Sequence, residues 1–177
     1  MQLETFFAGF GGQGIMSIGQ FLAKTGMEEG KQVVWLPSYG PEMRGGTAYC
    51  TVIISDQLIG SPIISNPQAL VVLNRPSMDK FAPRVKSGGT IIVNSSLIEV
   101  TSERDDVDEL LVPANDMAIE CGSPRSTNMV MLGAFVARTG IVEIDNLKAF
   151  VEKKFSGKVA DINVNAMMAG HRLGSKR

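Results

Sequence analysis

Histidine occurs once in this 177-residue chain, as His171, and cysteine twice, as Cys50 and Cys121. Two cysteines are too few for a disulfide framework, a four-cysteine zinc site or a self-contained iron–sulfur cluster. A lone histidine, in the last turns of the chain, gives no Ser-His-Asp constellation and no multi-histidine metal centre. His171 therefore reads as a helix C-terminal residue, and no metal ligand set or catalytic residue is assigned. Charge of one sign is also lacking, since 17 Lys and Arg face 18 Asp and Glu. That balance gives no electrostatic reason to expect nucleic acid or an anionic membrane as a partner, so any phosphate site must be local. The apolar runs are short, the longest near Val130 to Val136. None spans a bilayer, and the N-terminus shows no basic region followed by a cleavable apolar segment, so the expected location is cytoplasmic.

What the chain does have is glycine. Phe6-Phe7-Ala8-Gly9-Phe10-Gly11-Gly12-Gln13-Gly14-Ile15 passes from an apolar strand through a glycine loop into a helix with apolar residues at Ile15, Ile18, Phe21, Leu22 and Met27. Glycines without a Cβ let backbone N–H groups converge on an anion at the positive end of a helix. The alternative is a tight strand-to-helix turn that packs closely and binds nothing.

At 44% hydrophobic, the sequence suits one domain over residues 1–177. Strands are predicted at Leu3 to Ala8, Val33 to Leu36, Ala48 to Ser55, Ala69 to Leu73 and Thr90 to Val93, with an edge strand at Val107 to Val112. Helices are predicted at Ile15 to Met27, Pro76 to Val85, Asn128 to Thr139 and Ile144 to Phe155, the last with Asp145 as N-cap. Met117 to Glu120 reads as a short turn. Val159 to Leu173 is the weakest helix, because Asp161-Ile-Asn-Val-Asn165 contains poor helix formers. The glycine loop between strand and helix implies a parallel crossover from the first strand to the second. The expected fold is α/β, a three-layer α/β/α arrangement with a mostly parallel central sheet, Rossmann-like.

Gly9-Phe10-Gly11-Gly12-Gln13-Gly14 has the G-x-G-x-x-G spacing of dinucleotide sites. That fingerprint expects an acid near the end of the second strand, where Val34, Trp35 and Leu36 stand instead, so an autonomous NAD- or FAD-dependent oxidoreductase is disfavoured. A second loop, Pro37-Ser38-Tyr39-Gly40-Pro41-Glu42-Met43-Arg44-Gly45-Gly46, follows that strand. Arg44 could present its planar fork to a phosphate or carboxylate, or form a surface ion pair with Glu42. A third, Cys121-Gly122-Ser123-Pro124-Arg125-Ser126-Thr127-Asn128, precedes a helix for which Ser126 or Thr127 would be the N-cap. Asn128 and Arg125 remain open to ligand contact. Most methionines fall at helical spacing and read as core.

Together, F-x-G-F-G-G-Q-G-I, S-Y-G-P-E-M-R-G-G and N-M-V-M-L-G-A, with Asn165, Ala166 and Gly170 near the end, resemble the gamma subunit of the 2-oxoacid:ferredoxin oxidoreductase family. That family covers pyruvate, 2-oxoglutarate, branched-chain 2-oxoacids and indolepyruvate. The resemblance implies alpha, beta and in some complexes delta partner subunits, which carry thiamine diphosphate, Mg and 4Fe-4S clusters. The complete enzyme oxidises a 2-oxoacid, with coenzyme A and ferredoxin, to acyl-CoA and CO2. It implies for this chain a share of the coenzyme A site, to which Gly11, Gly12, Gln13, Gly14, Arg44 and Asn128 are assigned. A purely structural docking subunit remains the competing expectation.

Overall fold

A computed structural model describes residues 1–39 and 47–176 of the chain. Six strands form one sheet in the order β2-β3-β1-β4-β5-β6. They are β1 (Gln2–Phe10), β2 (Gln32–Tyr39), β3 (Thr47–Ser55), β4 (Ala69–Val72), β5 (Thr90–Asn94) and β6 (Asp108–Val112). The helices are α1 (Ile15–Glu28), α2 (Arg75–Phe81), α3 (Ala114–Glu120), α4 (Thr127–Thr139), α5 (Ile144–Lys154) and α6 (Gly157–Gly174). Strands β1, β4, β5 and β6 pair in parallel, and β3 is antiparallel to both β1 and β2. The three-layer, mostly parallel architecture expected from the sequence is the one observed.

One face of the sheet carries most of the helical mass. Phe7, Cys50, Val52, Ile54, Val71 and Ile92 point there and pack under α1, α4 and α6. The opposite face is thinner, with Phe6, Leu70, Val72, Ile91 and Val93 covered by Met78 and Phe81 of α2 and by the 3-10 turn Ala82–Arg84. Strand residues alternate between these faces, so each strand is buried on both sides where helices lie above and below.

The parallel crossover from β1 through α1 to β2 is present, but its two strands are not neighbours. β1 and β2 do run the same way, but β3 lies between them, with Tyr39 opposite Ala48 and Phe10 opposite Thr47. The stretch joining β2 to β3 is too short for a parallel crossover and returns the chain antiparallel. β2 also extends past Leu36 to Tyr39.

Three local expectations change as well. The predicted helix from Pro76 to Val85 is α2 followed by a 3-10 turn, because Pro83 offers no N–H to continue the α ladder. Asn74 caps α2, its side chain accepting from Ser77 N at 2.8 Å. The short turn expected at Met117 to Glu120 belongs to helix α3. Asp145 lies in the first turn of α5, and the cap position is Glu143.

α6 is continuous despite its weak formers. Close packing on α4 overrides propensity, since a Cβ on Gly170 would stand 1.9 Å from Val130 O and one on Gly133 1.9 Å from Met167 O. At these two positions only glycine lets the backbones meet. That seam fixes where the N-terminal end of α4 and the middle of α6 stand relative to the sheet. A further tie joins the end of α1 to the start of α5: Glu29 accepts from Glu143 N at 2.7 Å and Asn146 Nδ2 at 2.9 Å, and pairs with Lys31 at 2.9 Å. Burial raises the Glu29 pKa, but the bonds from Asn146, Lys31 and Glu143 outweigh it and hold the carboxyl below its ordinary value.

Candidate functional site

After β1 the chain moves through α1 to one side of the sheet, and after β3 it returns to β4 on the other side of β1. The C-terminal ends of β1 and β4 therefore bound a topological switch point, where open α/β sheets hold their ligands. A crevice of about 480 Å³ opens there, lined by Gly12, Gln13, Gly14, Leu73, Leu97, Asn115, Pro124, Arg125, Thr127 and Asn128. Its size falls in the range of small-molecule sites.

The glycine loop is built by internal ties. Gln13 N–H donates to Phe10 O at 3.2 Å, and the Gln13 side chain accepts from Phe10 N at 2.7 Å and donates to Leu73 O at 3.2 Å. The glutamine thus braces the loop to the turn after β4, with its amide already engaged on both sides. Gly14 is the N-cap of α1 at φ 75°, a left-handed conformation suited to glycine. Its carbonyl accepts from Asn128 Nδ2 at 3.2 Å, which ties the start of α4 to the start of α1. The opening N–H groups of both helices have no partner within their own helices.

Electrostatically the crevice favours an anion. No acidic residue occupies the first turn of α1 or of α4, so neither positive end is neutralised from within its own helix. Arg125 adds a full charge on the wall. The nearby acid Asp116 accepts from Ser96 Oγ at 2.9 Å. Asn115, whose Oδ1 accepts from Asn94 Nδ2 at 3.0 Å, lines the far side.

Of the residues assigned from the sequence, Gly12, Gln13, Gly14 and Asn128 line this one crevice. Gly11 lines a smaller cavity of about 260 Å³ on the other flank of the loop, with Phe10, Met16, Tyr39 and Ala48. Arg44 lies outside the described residues, as do Glu42 and the glycines beside them. The described residues that flank that stretch, Tyr39 and Thr47, stand at the same edge of the sheet, Thr47 directly opposite Phe10. Leu73, Leu97 and Asn115 also line the crevice and carry no site motif in the sequence. Leu73 and Leu97 follow β4 and β5, Asn115 lies in the first turn of α3 after β6, and only the strand order brings them to the glycine loop.

The N-cap expected at Ser126 or Thr127 is not made by either side chain. Ser126 holds the cap position of α4 but donates through Oγ to Asn163 Oδ1 at 3.0 Å, and Thr127 Oγ1 donates to Pro124 O at 2.9 Å. The hydroxyl that caps is Ser123, which accepts from Arg125 N at 3.2 Å and opens the preceding 3-10 turn.

Strand order also bears on the dinucleotide spacing. With β3 inserted, the end of β2 stands two strand spacings, roughly 10 Å, from β1. An acid there would sit one strand further from the loop than in the nucleotide fold that the fingerprint describes. Cys50 is buried under α1, where burial pushes its thiol up to about 12, and Cys121 is half-buried. Among the described residues no group of three or more His, Cys, Asp or Glu side chains is arranged to hold a metal ion, and no helix is long and apolar enough to cross a membrane.

The pattern of the pyruvate ferredoxin/flavodoxin oxidoreductase family matches residues 4–173. The ketoisovalerate oxidoreductase subunit VorA of Methanothermobacter marburgensis is 40% identical over 173 residues, which cover 96% of this chain and 36% of the relative. The chain thus spans little more than a third of that protein. The 2-oxoglutarate synthase subunit KorC of the same organism is 33% identical over 180 residues, covering 98% of this chain and 97% of KorC. Among solved structures, the gamma subunit of a keto/oxoacid ferredoxin oxidoreductase from Geobacter sulfurreducens superposes with a TM-score of 0.85 at 30% identity, covering 97% of this chain and 98% of that one. The 2-oxoglutarate:ferredoxin oxidoreductase of Magnetococcus marinus, solved with 2-oxoglutarate, coenzyme A and succinyl-CoA bound, matches with a TM-score of 0.90 at 26% identity, covering 98% of this chain and 31% of that chain.

Proposed function

The chain belongs to the pyruvate ferredoxin/flavodoxin oxidoreductase family, and on that premise we propose that it is the gamma-type domain, over residues 1–177, of a 2-oxoacid:ferredoxin oxidoreductase and forms one wall of that enzyme's coenzyme A site. The observation that carries this reading is the crevice at the switch point, where the glycine loop and the opening turns of α1 and α4 converge beside Arg125. Backbone N–H groups there would hold the diphosphate of coenzyme A, each charge-assisted bond contributing roughly 1.5–3 kcal/mol. Gly11, Gly12 and Gly14 supply the approach. Gln13 acts from behind, keeping the loop in shape, and Asn128, which lines the crevice, holds Gly14 through its carbonyl.

Arg44 would add charge from the connection between β2 and β3. The central redox chemistry falls to alpha, beta and in some complexes delta subunits that hold thiamine diphosphate, Mg and 4Fe-4S clusters. Those subunits decarboxylate the 2-oxoacid in the cytoplasm and pass its electrons to ferredoxin, while the acyl group leaves on coenzyme A. This chain's own pair of free cysteines, one of them sealed in the core, does not fit a cluster.

The competing reading, a structural docking subunit, draws on exposed apolar side chains at Leu36, Tyr39, Leu58 and Ile63. Kinetics of the assembled enzyme separate the two. Arg44→Ala and Asn128→Ala are expected to raise the KM for coenzyme A by about tenfold or more, the equivalent of one such bond, with the KM for the 2-oxoacid unchanged. An unaltered coenzyme A dependence in both variants would leave docking as the function.

A further inference from the structure

The far wall of the crevice is set by a chain of directed hydrogen bonds at the carboxyl ends of β5 and β6. Asn94, fully buried at the last position of β5, accepts through Oδ1 from Ser96 N at 3.3 Å and donates through Nδ2 to Asn115 Oδ1 at 3.0 Å. Ser96 Oγ in turn accepts from Asn115 N at 3.2 Å and donates to Asp116 Oδ2 at 2.9 Å. Two of these donors are main-chain N–H groups, which can only donate. They fix the direction of the other bonds.

Because Ser96 N must meet an oxygen, Asn94 turns its Oδ1 there and its NH2 group toward Asn115. Asn115 meets that NH2 with its own oxygen, so its Nδ2 stands on the other side of the carboxamide. Asn115 is half-buried and lines the crevice, and its Nδ2 has no hydrogen-bond partner among the described residues. The wall thus offers one free donor. Around it the setting is neutral to acidic, with Leu97 48% exposed beside it and Asp116 next in sequence, whereas Arg125 and the openings of α1 and α4 belong to the opposite wall. A neutral donor placed there suits a carbonyl oxygen better than a phosphate, which the nearby carboxylate repels.

We infer, resting on the coenzyme A reading above, that Asn115 donates to a neutral carbonyl oxygen of the ligand whose phosphates lie on the glycine loop, and that Asn94 is the positioning residue that gives Asn115 this polarity. The two walls then divide the work. Charge and helix ends anchor one part of the ligand, and a single uncharged donor reads another. Asn94 itself is sealed from the crevice and touches no ligand. Without its NH2 group the Asn115 oxygen loses the bond that holds it away from the crevice, and the carboxamide is free to turn over and present an acceptor.

Two measurements test the pair. In nuclear magnetic resonance of the full chain, coenzyme A is expected to shift the side-chain amide signals of Asn115 together with the backbone amides of Gly12 and Gly14, whereas inorganic pyrophosphate should move the loop alone. In the assembled enzyme, Asn115→Ala should raise the KM for coenzyme A roughly three- to tenfold, with kcat and the KM for the 2-oxoacid unchanged. Asn94→Leu should raise the same KM by a similar factor and add nothing in the Asn115→Ala background, because it acts through Asn115. Asn94→Asp, which keeps the acceptor for Ser96 N, takes its place if Asn94→Leu does not fold. Coenzyme A that moves the loop but not the Asn115 side chain, or pyrophosphate that moves both, overturns the carbonyl contact and leaves the crevice reading standing. A further rise of KM in the double variant overturns the positioning role of Asn94. Coenzyme A that moves neither the loop nor Asn115 takes down the crevice reading as well.

Discussion

Glycine serves two regions of this molecule in opposite ways. At Gly12 in the glycine loop it leaves space, so that a Cβ there would meet nothing within 4 Å. Along the seam between α4 and α6 it removes space, because the backbones themselves touch at Gly133 and Gly170. One region stays open to solvent at the edge of the sheet, and the other closes the core. They are nevertheless one device. The seam positions α4 and α6, and these helices carry Asn128 to the loop and Asn163 to Ser126. An open site is held in shape by a tightly closed one.

The comparison breaks most severely at the seam. Gly170→Val must push the helices apart, since the colliding atom is a backbone carbonyl that cannot swing away. A loss of about 3 kcal/mol or more is expected, lowering the melting temperature by roughly 6–12 °C in thermal unfolding. Within the loop the effect should divide. Gly14→Ala combines a φ of 75° with a Cβ 2.3 Å from Asn128 Nδ2. It should cost about 1–3 kcal/mol in denaturant unfolding and weaken coenzyme A binding as Asn128 is displaced. Gly12→Ala has a φ of 95° but free space, so its stability cost should be about 1–2 kcal/mol, from backbone strain alone. Equal effects at Gly12 and Gly14 would contradict the brace between loop and α4.

Two smaller effects sharpen the contrast between closed and open regions. Glu29→Ala should lose about 1–2 kcal/mol, measured by denaturant unfolding at neutral pH. Because the folded Glu29 pKa lies below the ordinary 4.5, this contribution is present above that value and disappears as pH falls through the lower folded one. Cys50 works in the alkaline direction. Its folded thiol titrates near 12 against about 9.0 unfolded, so stability is unaffected below pH 9, declines as pH rises toward 12, and levels off beyond. At neutral pH a thiol reagent should label Cys121 and spare Cys50 in the native chain.

The legible parts of this molecule are those where local pattern and tertiary demand agree. The glycine loop between Phe10 and Ile15 and the helix Thr127–Thr139 carry their signals within a few residues. The insertion of β3 beside β1 was not legible, because strand neighbours depend on pairing across the sheet and a strand–helix–strand pattern allows either order. The same holds for the site. Gln13 reads as a ligand contact until Leu73, sixty residues away, is seen to accept its amide proton. Leu97 and Asn115 have no motif at all and join the crevice only because β5 and β6 follow β4 across the sheet. Ser126 would cap α4 by local rules, but the buried Asn163 amide captures its hydroxyl.

Whether the glycine loop holds the phosphates of coenzyme A is read most directly from its backbone amides, and at 19.0 kDa the chain suits nuclear magnetic resonance during a coenzyme A titration. The amide signals of Gly11, Gly12, Gly14 and Ile15 are expected to move most, and those of the α4–α6 seam to stay in place. Saturating coenzyme A that leaves the loop amides unmoved would contradict a phosphate site there.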